Sequence, residues 1–117
     1  SSTNTKIHLT FEEQILTPVR FSSTELLNIF RICQEALNNA FRHSDGSEVV
    51  LKFESKESHW QINITDNGKG FSKDDIQEDH YGLDNMQHRA QSIQTTIEII
   101  TDPGKGTTIR LKNAIAK

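Results

Sequence analysis

Side chains that could bind a metal ion and phosphate groups recur along one side of QEALNNAFRH, residues 34–43. At about 100° per residue in a helix, Glu35 and Asn39 lie one turn apart. Arg42 and His43 follow one turn later. A carboxylate, an amide oxygen and a guanidinium on one rigid face could hold Mg²⁺ and the phosphate oxygens that it bridges. A solvated helix face is the alternative, although two successive asparagines weaken a helix.

A second candidate site lies in WQINITDNGKG, residues 60–70. Side chains alternate between the two faces of a strand, so Asp66 shares a face with the apolar row that starts at Trp60. Burying this carboxylate is costly unless it accepts hydrogen bonds, and the exocyclic amino group of a purine is a suitable donor. Gly68 and Gly70 would let the backbone approach a flat ligand closely. A plain Asp-Asn-Gly turn is the alternative.

The third candidate segment is TDPGKGTTIRL, residues 101–111. Thr107 shares a strand face with Ile109 and Leu111, so we expect Asp66 and Thr107 to meet under one pocket. The alternative is an ordinary hairpin with a glycine-rich turn. Neither GKG triplet fits G-x-x-x-x-G-K-[ST], and no G-x-G-x-x-G follows a strand. The residues after Asp66 also lack the carboxylates of a calcium loop. A nucleotide site in this chain would therefore use another architecture.

Length and composition limit the classes of protein to which the chain can belong. The chain has 117 residues, which predicts a single domain over residues 1–117. Its net charge of −3 provides no basic surface for nucleic acid. No apolar run reaches the roughly 18 residues that span a bilayer, so a soluble, cytoplasmic chain is expected, with a parent protein that is either soluble or membrane-anchored.

The single cysteine and the single methionine carry two further expectations. Cys33 falls on the apolar side of a predicted helix, where a thiol packs as a small hydrophobe. The methionine is Met86, so the sequence does not start with one, and we expect a fragment of a longer protein.

The elements that must position these residues follow from periodicity and turn signals. Strands are predicted at residues 7–11, 47–55, 60–65, 96–101 and 107–111. A first helix should begin at the capping box from Ser22 to Glu25 and stop at Ser44-Asp45-Gly46. Its predicted core side comprises Leu26, Ile29, Phe30, Cys33, Ala36, Leu37, Ala40 and Phe41.

A second helix is predicted in LDNMQHRAQSI, residues 83–93, behind a long polar loop. Five short strands and two main helices, segregated rather than alternating, indicate the α+β class. The expected architecture is a two-layer α/β sandwich, with a mostly antiparallel mixed sheet that helices cover on one face.

Taken in order, these segments resemble the ATP-binding domain shared by sensor histidine kinases, DNA gyrase, MutL-type repair proteins and the ATP-driven heat-shock chaperones. QEALNNAFRH is similar to the N box and DNGKGF to the first glycine box. YGLDNMQHRA followed by PGKGTTI is similar to the second glycine region. The resemblance covers about residues 6–113 and is strongest to the nitrate-sensor and lipid-fluidity-sensor branch of histidine kinases. It implies the Bergerat-type ATP-binding fold.

The resemblance also implies roles for individual residues. Asn39 would bind Mg²⁺ with help from Glu35, which in hydrolytic relatives prepares a water for attack. Arg42 and His43 would reach the ATP phosphates, and Asp66 would accept from the adenine amino group. The remaining implied contacts are Gly68 and Gly70 at the adenine end, Gly82 and Leu83 at the lid and phosphate end, and Gly106 and Thr107 on the pocket floor.

The activity implied is presentation of Mg-ATP to a histidine on a separate dimerisation domain of the same protein, which then serves a response regulator. The isolated domain is expected to be a monomer with little or no activity. Two departures from the family pattern occur, His80 in place of a lid glycine and Gln94-Thr95 in place of a glycine pair. An anti-sigma-factor-type serine kinase, a clamp ATPase and a nucleotide-binding module without transfer activity remain alternatives.

Overall fold

A computed structural model of the chain describes residues 7–43, 48–70, 82–102 and 104–113. Within these residues, five strands and two helices are present. In chain order they are β1 (His8–Ile15), α1 (Ser23–His43), β2 (Glu48–Lys56), β3 (His59–Asp66), α2 (Leu83–Ser92), β4 (Thr95–Asp102) and β5 (Gly106–Asn113).

The strands form one mixed sheet in the order β1-β2-β3-β5-β4. β1 pairs with β2 in parallel, after the chain crosses over through α1, and the other three pairs are antiparallel. β2–β3 and β4–β5 are the two predicted hairpins. α1 packs against β3 and α2, and α2 packs against β4. The predicted α+β sandwich with a mostly antiparallel sheet is confirmed.

The start of α1 is fixed by the predicted capping box. The backbone N–H of Glu25 donates to Oγ of Ser22 at 3.1 Å, and the N–H of Ser22 donates to Oε1 of Glu25 at 2.8 Å. This reciprocal pair satisfies N–H groups that have no partner inside the helix. The predicted stop at Ser44-Asp45-Gly46 lies outside the described residues.

The predicted core side of α1 is only partly correct. Ile29, Ala36 and Ala40 are buried, but Leu26, Phe30 and Phe41 are 53%, 61% and 42% exposed. Ile32, which the prediction left out, is 1% exposed. The apolar residues of α1 span more of the circumference than one contact with the sheet can cover, and the helix turns its Ile32 side inwards. This rotation also buries Asn39.

The predicted strand faces are confirmed. Trp60, Ile62, Ile64 and Asp66 are buried on the helix side of β3, and Thr107, Ile109 and Leu111 are buried on the same side of β5. On the opposite face of the sheet the side chains are mainly polar. There, Nε of Arg110 donates to Oδ1 of Asn63 at 2.7 Å, and Lys112 forms an ion pair with Glu98. The hydrophobic core therefore lies between the sheet and the two helices.

Gln94 follows α2 with a φ of 59°, in the left-handed region that glycine adopts without strain. This is one of the two positions at which the sequence departs from the family's glycine pair. The backbone keeps a glycine-like conformation although the residue is not glycine.

Cys33 is partly buried against the core, as expected. Burial raises the pKa of its thiol from 9.0 to about 11. Neither of the two described helices is both long enough and apolar enough to cross a membrane.

Candidate nucleotide site

The topology brings the end of α1 over the end of β3. α1 returns antiparallel to β1 and leads into β2, whose Val49 is the register partner of Asp66. Asn39, in the second-last turn of α1, is 1% exposed, and Asp66 is 7% exposed. Two polar residues singled out from the sequence are therefore buried at the same end of the interface between helix and sheet.

Asp66 ends β3 with its carboxylate held in place by the backbone. Its Oδ1 accepts a hydrogen bond of 2.9 Å from the N–H of Gly68, which is also buried. Asp66 and Thr107 are register partners of β3 and β5, so the predicted meeting of these residues is confirmed. The Thr107 hydroxyl lies 3.0 Å from the Thr101 hydroxyl, which orients it along the β4–β5 pair.

Gly106 supports Asp66 from behind. Its φ is 91°, and a Cβ at this position would lie 2.0 Å from the Asp66 carbonyl oxygen and 3.1 Å from Cα of Asn67. No side chain fits in that space. Two residues earlier, the N–H of Gly104 donates to the Lys69 carbonyl at 2.9 Å. The β4–β5 turn therefore packs directly on the loop that follows β3.

Asn67 has a positioning role that the sequence analysis missed. Its Oδ1 accepts from the N–H of Glu48 at 2.9 Å, and its own N–H donates to the Glu48 carbonyl at 3.2 Å. This pair ties the loop after Asp66 to the start of β2. An asparagine directly after a strand was the available signal, but its partner is 19 residues away in sequence.

At the other end of the candidate site, α1 meets the start of α2. Gly82 is the N-cap of α2, with a φ of 65° and no side-chain cap. A Cβ on Gly82 would lie 2.7 Å from Oε1 of Glu35, so these two predicted site residues are in contact. The Leu83 side chain is buried in the core, which leaves its backbone N–H as the group that could face a ligand. A helix N-terminus of this kind favours anions.

A cavity of about 140 Å³ lies between the two helices beside Glu35. Arg31 and Arg89 line it together with Gln34, Glu35, Asn85 and Met86. The two arginines were not among the predicted site residues. The sequence does indicate Arg31, because it lies one turn before Glu35 on the same polar side of α1. The position of Arg89 beside this cavity depends instead on how α2 packs against α1.

The structure describes the remaining predicted site residues only in part. Arg42 is exposed in the last turn of α1, and the side chain of His43 lies outside the described part of the structure. Gly70 has a φ of 83°, which suits glycine. The predicted lid, including His80, falls in residues 71–81 and is also outside the described residues.

The described residues contain no group of three or more histidine, cysteine, aspartate or glutamate side chains that could hold a metal ion. Mg²⁺ does not require such a group, because it is commonly bound through one or two protein oxygens together with substrate phosphates. Glu35 and Asn39, one turn apart on α1, carry oxygen atoms of that type. A larger cavity of about 640 Å³ lies at the opposite end of the sheet, beside Trp60 and Asn113, and none of the predicted site residues line it.

Residues 24–115 match the family model described as histidine kinase-, DNA gyrase B-, and HSP90-like ATPase. Similar proteins include the sensor protein VraS of Staphylococcus saprophyticus, 43% identical over 90 residues, which cover 77% of this chain and 26% of that protein. The sensor histidine kinase LiaS of Bacillus subtilis is 45% identical over 85 residues, or 73% of this chain and 24% of the relative. The chain thus spans about a quarter of the length of the curated relatives that it matches.

Solved structures share the fold. A histidine kinase domain from the Erythrobacter litoralis EL346 blue-light activated histidine kinase matches 90% of this chain and 54% of that one, with a TM-score of 0.69 and 19% identity. The Acinetobacter baumannii histidine kinase AdeS matches 93% of this chain and 55% of that one, with a TM-score of 0.72 and 19% identity. With the family match over most of its length, the chain belongs to the histidine kinase-, DNA gyrase B- and HSP90-like ATPase family, which implies that it binds ATP.

Proposed function

We propose that residues 1–117 are the ATP-binding catalytic domain of a two-component sensor histidine kinase. The observation that carries this proposal is the buried Asp66 carboxylate, oriented by Gly68 and supported by Gly106, at the same end of the sheet as the buried Asn39. The family match and the relatives named as sensor kinases support it.

Asp66 forms the adenine end of the proposed site. A buried carboxylate is an acceptor for hydrogen-bond donors, and the adenine amino group would be such a donor. The backbones of Gly68 and Gly70 would border the base, while Gly106 and Thr107 form the floor below Asp66. In this arrangement Gly106 keeps the Asp66 backbone in place and need not touch the nucleotide.

The phosphate end is formed by α1 and the start of α2. Asn39 and Glu35 would hold Mg²⁺, which neutralises charge on the phosphates when it is bound. Arg42 and His43 would contact phosphate oxygens from the end of α1. The backbone N–H groups of Gly82 and Leu83 would face the same charge, and a helix N-terminus favours this placement.

In the proposed reaction, a histidine ring nitrogen of the separate dimerisation domain attacks the γ-phosphorus. The new N–P bond forms as the bond from the γ-phosphorus to the bridging oxygen breaks, and ADP leaves. This chain contributes positioning and electrostatic stabilisation of the phosphoryl group. Glu35 would help to hold the metal ion, and its contact with Gly82 at the start of α2 supports this role.

The partners of this domain would be ATP, the phosphoacceptor domain of the same protein and, through the complete kinase, a response regulator. No nucleic acid is involved. The domain would work on the cytoplasmic side, where ATP is available, and would be monomeric when isolated.

Calorimetric titration of the chain with a non-hydrolysable ATP analogue, with and without Mg²⁺, tests the proposal. Asp66→Asn should weaken binding by about one to two decades, because a lost hydrogen bond to a charged group costs roughly 1.5–3 kcal/mol. Asn39→Ala should instead reduce the dependence on Mg²⁺. Glu12→Gln, the same type of change at an exposed position on β1, is the matched control and should bind as the unmodified chain does.

Absence of binding by the folded, unmodified chain would refute the proposed function. A second result distinguishes the proposed function from its main alternative, a nucleotide-binding module without transfer activity. That alternative would be supported if the complete parent protein bound the analogue but labelled no histidine with radioactive γ-phosphate from ATP.

A further inference from the structure

The small cavity between α1 and α2 brings three charged side chains together. Arg31 and Glu35 line it from α1, and Arg89 lines it from the last turn of α2. Its volume of about 140 Å³ exceeds the roughly 10–15 Å³ that one water needs, so polar groups can interact across it through water. Two positive charges and one negative charge therefore share a space that holds only a few waters.

The carboxylate of this group stands at the start of α2. A Cβ on Gly82 would lie 2.7 Å from Oε1 and 3.3 Å from Cδ of Glu35, so the carboxylate occupies the space beside this N-cap. Gly82 provides no side-chain cap, and the N-terminus of a helix favours an anion. In the proposed function, the ATP phosphates would face the same N–H groups. A single Mg²⁺ does not balance the charge of a triphosphate and a carboxylate together, so Glu35 and the phosphates would repel each other.

Both arginines lie farther from the proposed phosphate position than Glu35 does. Arg31 is eight residues before Asn39 on α1, which is about 12 Å along a helix at 1.5 Å per residue, and Glu35 lies halfway between them. Arg89 is seven residues after Gly82, which is about 10 Å along α2. The arginines would therefore act on the phosphates mainly through Glu35.

Neither arginine is committed to another acid in the described part of the chain. No ion pair within residues 7–43, 48–70, 82–102 and 104–113 involves Arg31 or Arg89, and both side chains are exposed. A cation in the last turn of α2 also suits the helix dipole, which is an alternative reason for Arg89. That alternative does not explain why Arg31 lines the same cavity from α1.

We propose that Arg31 and Arg89 are positioning residues for Glu35. Their positive charge holds the Glu35 carboxylate beside the start of α2 and offsets its repulsion of the ATP phosphates, and neither arginine needs to touch the nucleotide. This inference rests on the proposed function. Because the two arginines come from different helices, nucleotide affinity also depends on how α2 packs against α1.

A double-mutant cycle measured by calorimetric titration of the chain with the ATP analogue and Mg²⁺ tests this role. Arg89→Gln should weaken binding about threefold, and Arg31→Gln combined with Arg89→Gln about tenfold, since exposed charge pairs couple weakly. In a Glu35→Gln background, the same changes should alter the affinity by less than about twofold, because no carboxylate remains to be offset. Arg89→Lys keeps the charge and should bind within about twofold of the unmodified chain.

Arg20→Gln is the matched control, because it removes the same charge from an exposed arginine before α1. Its neighbour Phe21 packs on Trp60, at the opposite end of β3 from Asp66. The control should leave the affinity within about twofold in both backgrounds. Salt gives a second readout that a merely structural role would not move. In 1 M salt, where the Debye length is about 3 Å, the effect of Arg89→Gln should fall below about twofold.

Equal weakening by Arg89→Gln with and without the Glu35 carboxylate would overturn the proposal, because the arginine would then act on the nucleotide directly or through the fold. Unchanged affinity of the arginine variants would overturn it too. Loss of all binding in Glu35→Gln alone would also do so, because the carboxylate would then attract the nucleotide complex. No binding by the folded, unmodified chain would refute the proposed function, whereas binding without coupling between Glu35 and the arginines would refute only this inference.

Discussion

Replacing Gly106 with alanine tests whether the β4–β5 turn fixes the position of Asp66. The residue has a φ of 91°, and an added Cβ would lie 2.0 Å from the Asp66 carbonyl oxygen. A contact at that distance requires a shift of more than an ångström in the backbone of β3 or of the turn, because two non-bonded heavy atoms prefer about 3.5 Å. The atom in the way is backbone, so rotation of a side chain cannot relieve the clash.

Gly104 is the matched control for the backbone conformation. It has a φ of 79°, but a Cβ there meets no atom within 4 Å. Gly104→Ala keeps the N–H that bonds to Lys69 and should cost only the strain of the left-handed conformation, about 1–2 kcal/mol. Gly106→Ala carries the same strain plus the clash, which adds about 2 kcal/mol, within the roughly 1–3 kcal/mol that overpacking typically costs. The total is a large part of the 5–15 kcal/mol typical of a folded domain.

Urea unfolding followed by circular dichroism measures the difference. The midpoint for Gly106→Ala should fall well below that for Gly104→Ala, and the melting temperatures should differ by roughly 8 °C or more at about 4–8 °C per kcal/mol. If the fold survives at low temperature, Gly106→Ala should also weaken binding of the ATP analogue. Equal stability of the two variants would refute the argument that the space behind Asp66 is closed.

Further predictions concern local features of the fold. Gln94→Gly should stabilise the domain by about 0.5–1 kcal/mol, since glycine removes the cost of a φ of 59°, and an unchanged or lower melting temperature would contradict this. Ser22→Ala should cost about 1 kcal/mol through the lost cap on Glu25 N–H, as measured by urea unfolding against Ser58→Ala in the β2–β3 turn. The raised pKa of Cys33 predicts stability that is intact below pH 9 and is lost as the pH rises towards about 11, because the unfolded thiol ionises first. Cys33→Ala should abolish that pH dependence.

The strands and their faces could be predicted from the sequence because the alternation of a strand has a fixed period of two. Once Trp60 was on the core face, Asp66 had to share it, and the same rule placed Thr107 beside it. The cap of α1 was also readable, since Ser22 and Glu25 act within one turn. Hydrogen bonds within one helical turn and the two-residue period of a strand can therefore be predicted directly from the sequence.

The orientation of α1 could not be predicted in the same way. Its apolar residues occupy two adjacent sides of the helix. Which side faces the sheet depends on where β3 and α2 lie. The burial of Asn39 and Ile32 follows from that packing. Contacts such as that between Glu35 and Gly82, or between Asn67 and Glu48, join residues distant in sequence and depend on the assembled fold.

The parallel pairing of β1 has a consequence for the order of folding. His8 pairs with Glu48, 40 residues further along the chain, whereas the β2–β3 and β4–β5 hairpins close through short turns. Long loops delay pairing, so β1 should join last, and as an edge strand held on one side it should also be the first to detach. Amide hydrogens of β1 would then exchange faster than those of β3. Any contact that covers β1 would slow that exchange, so the exchange rates of this edge strand would report on whatever the domain packs against.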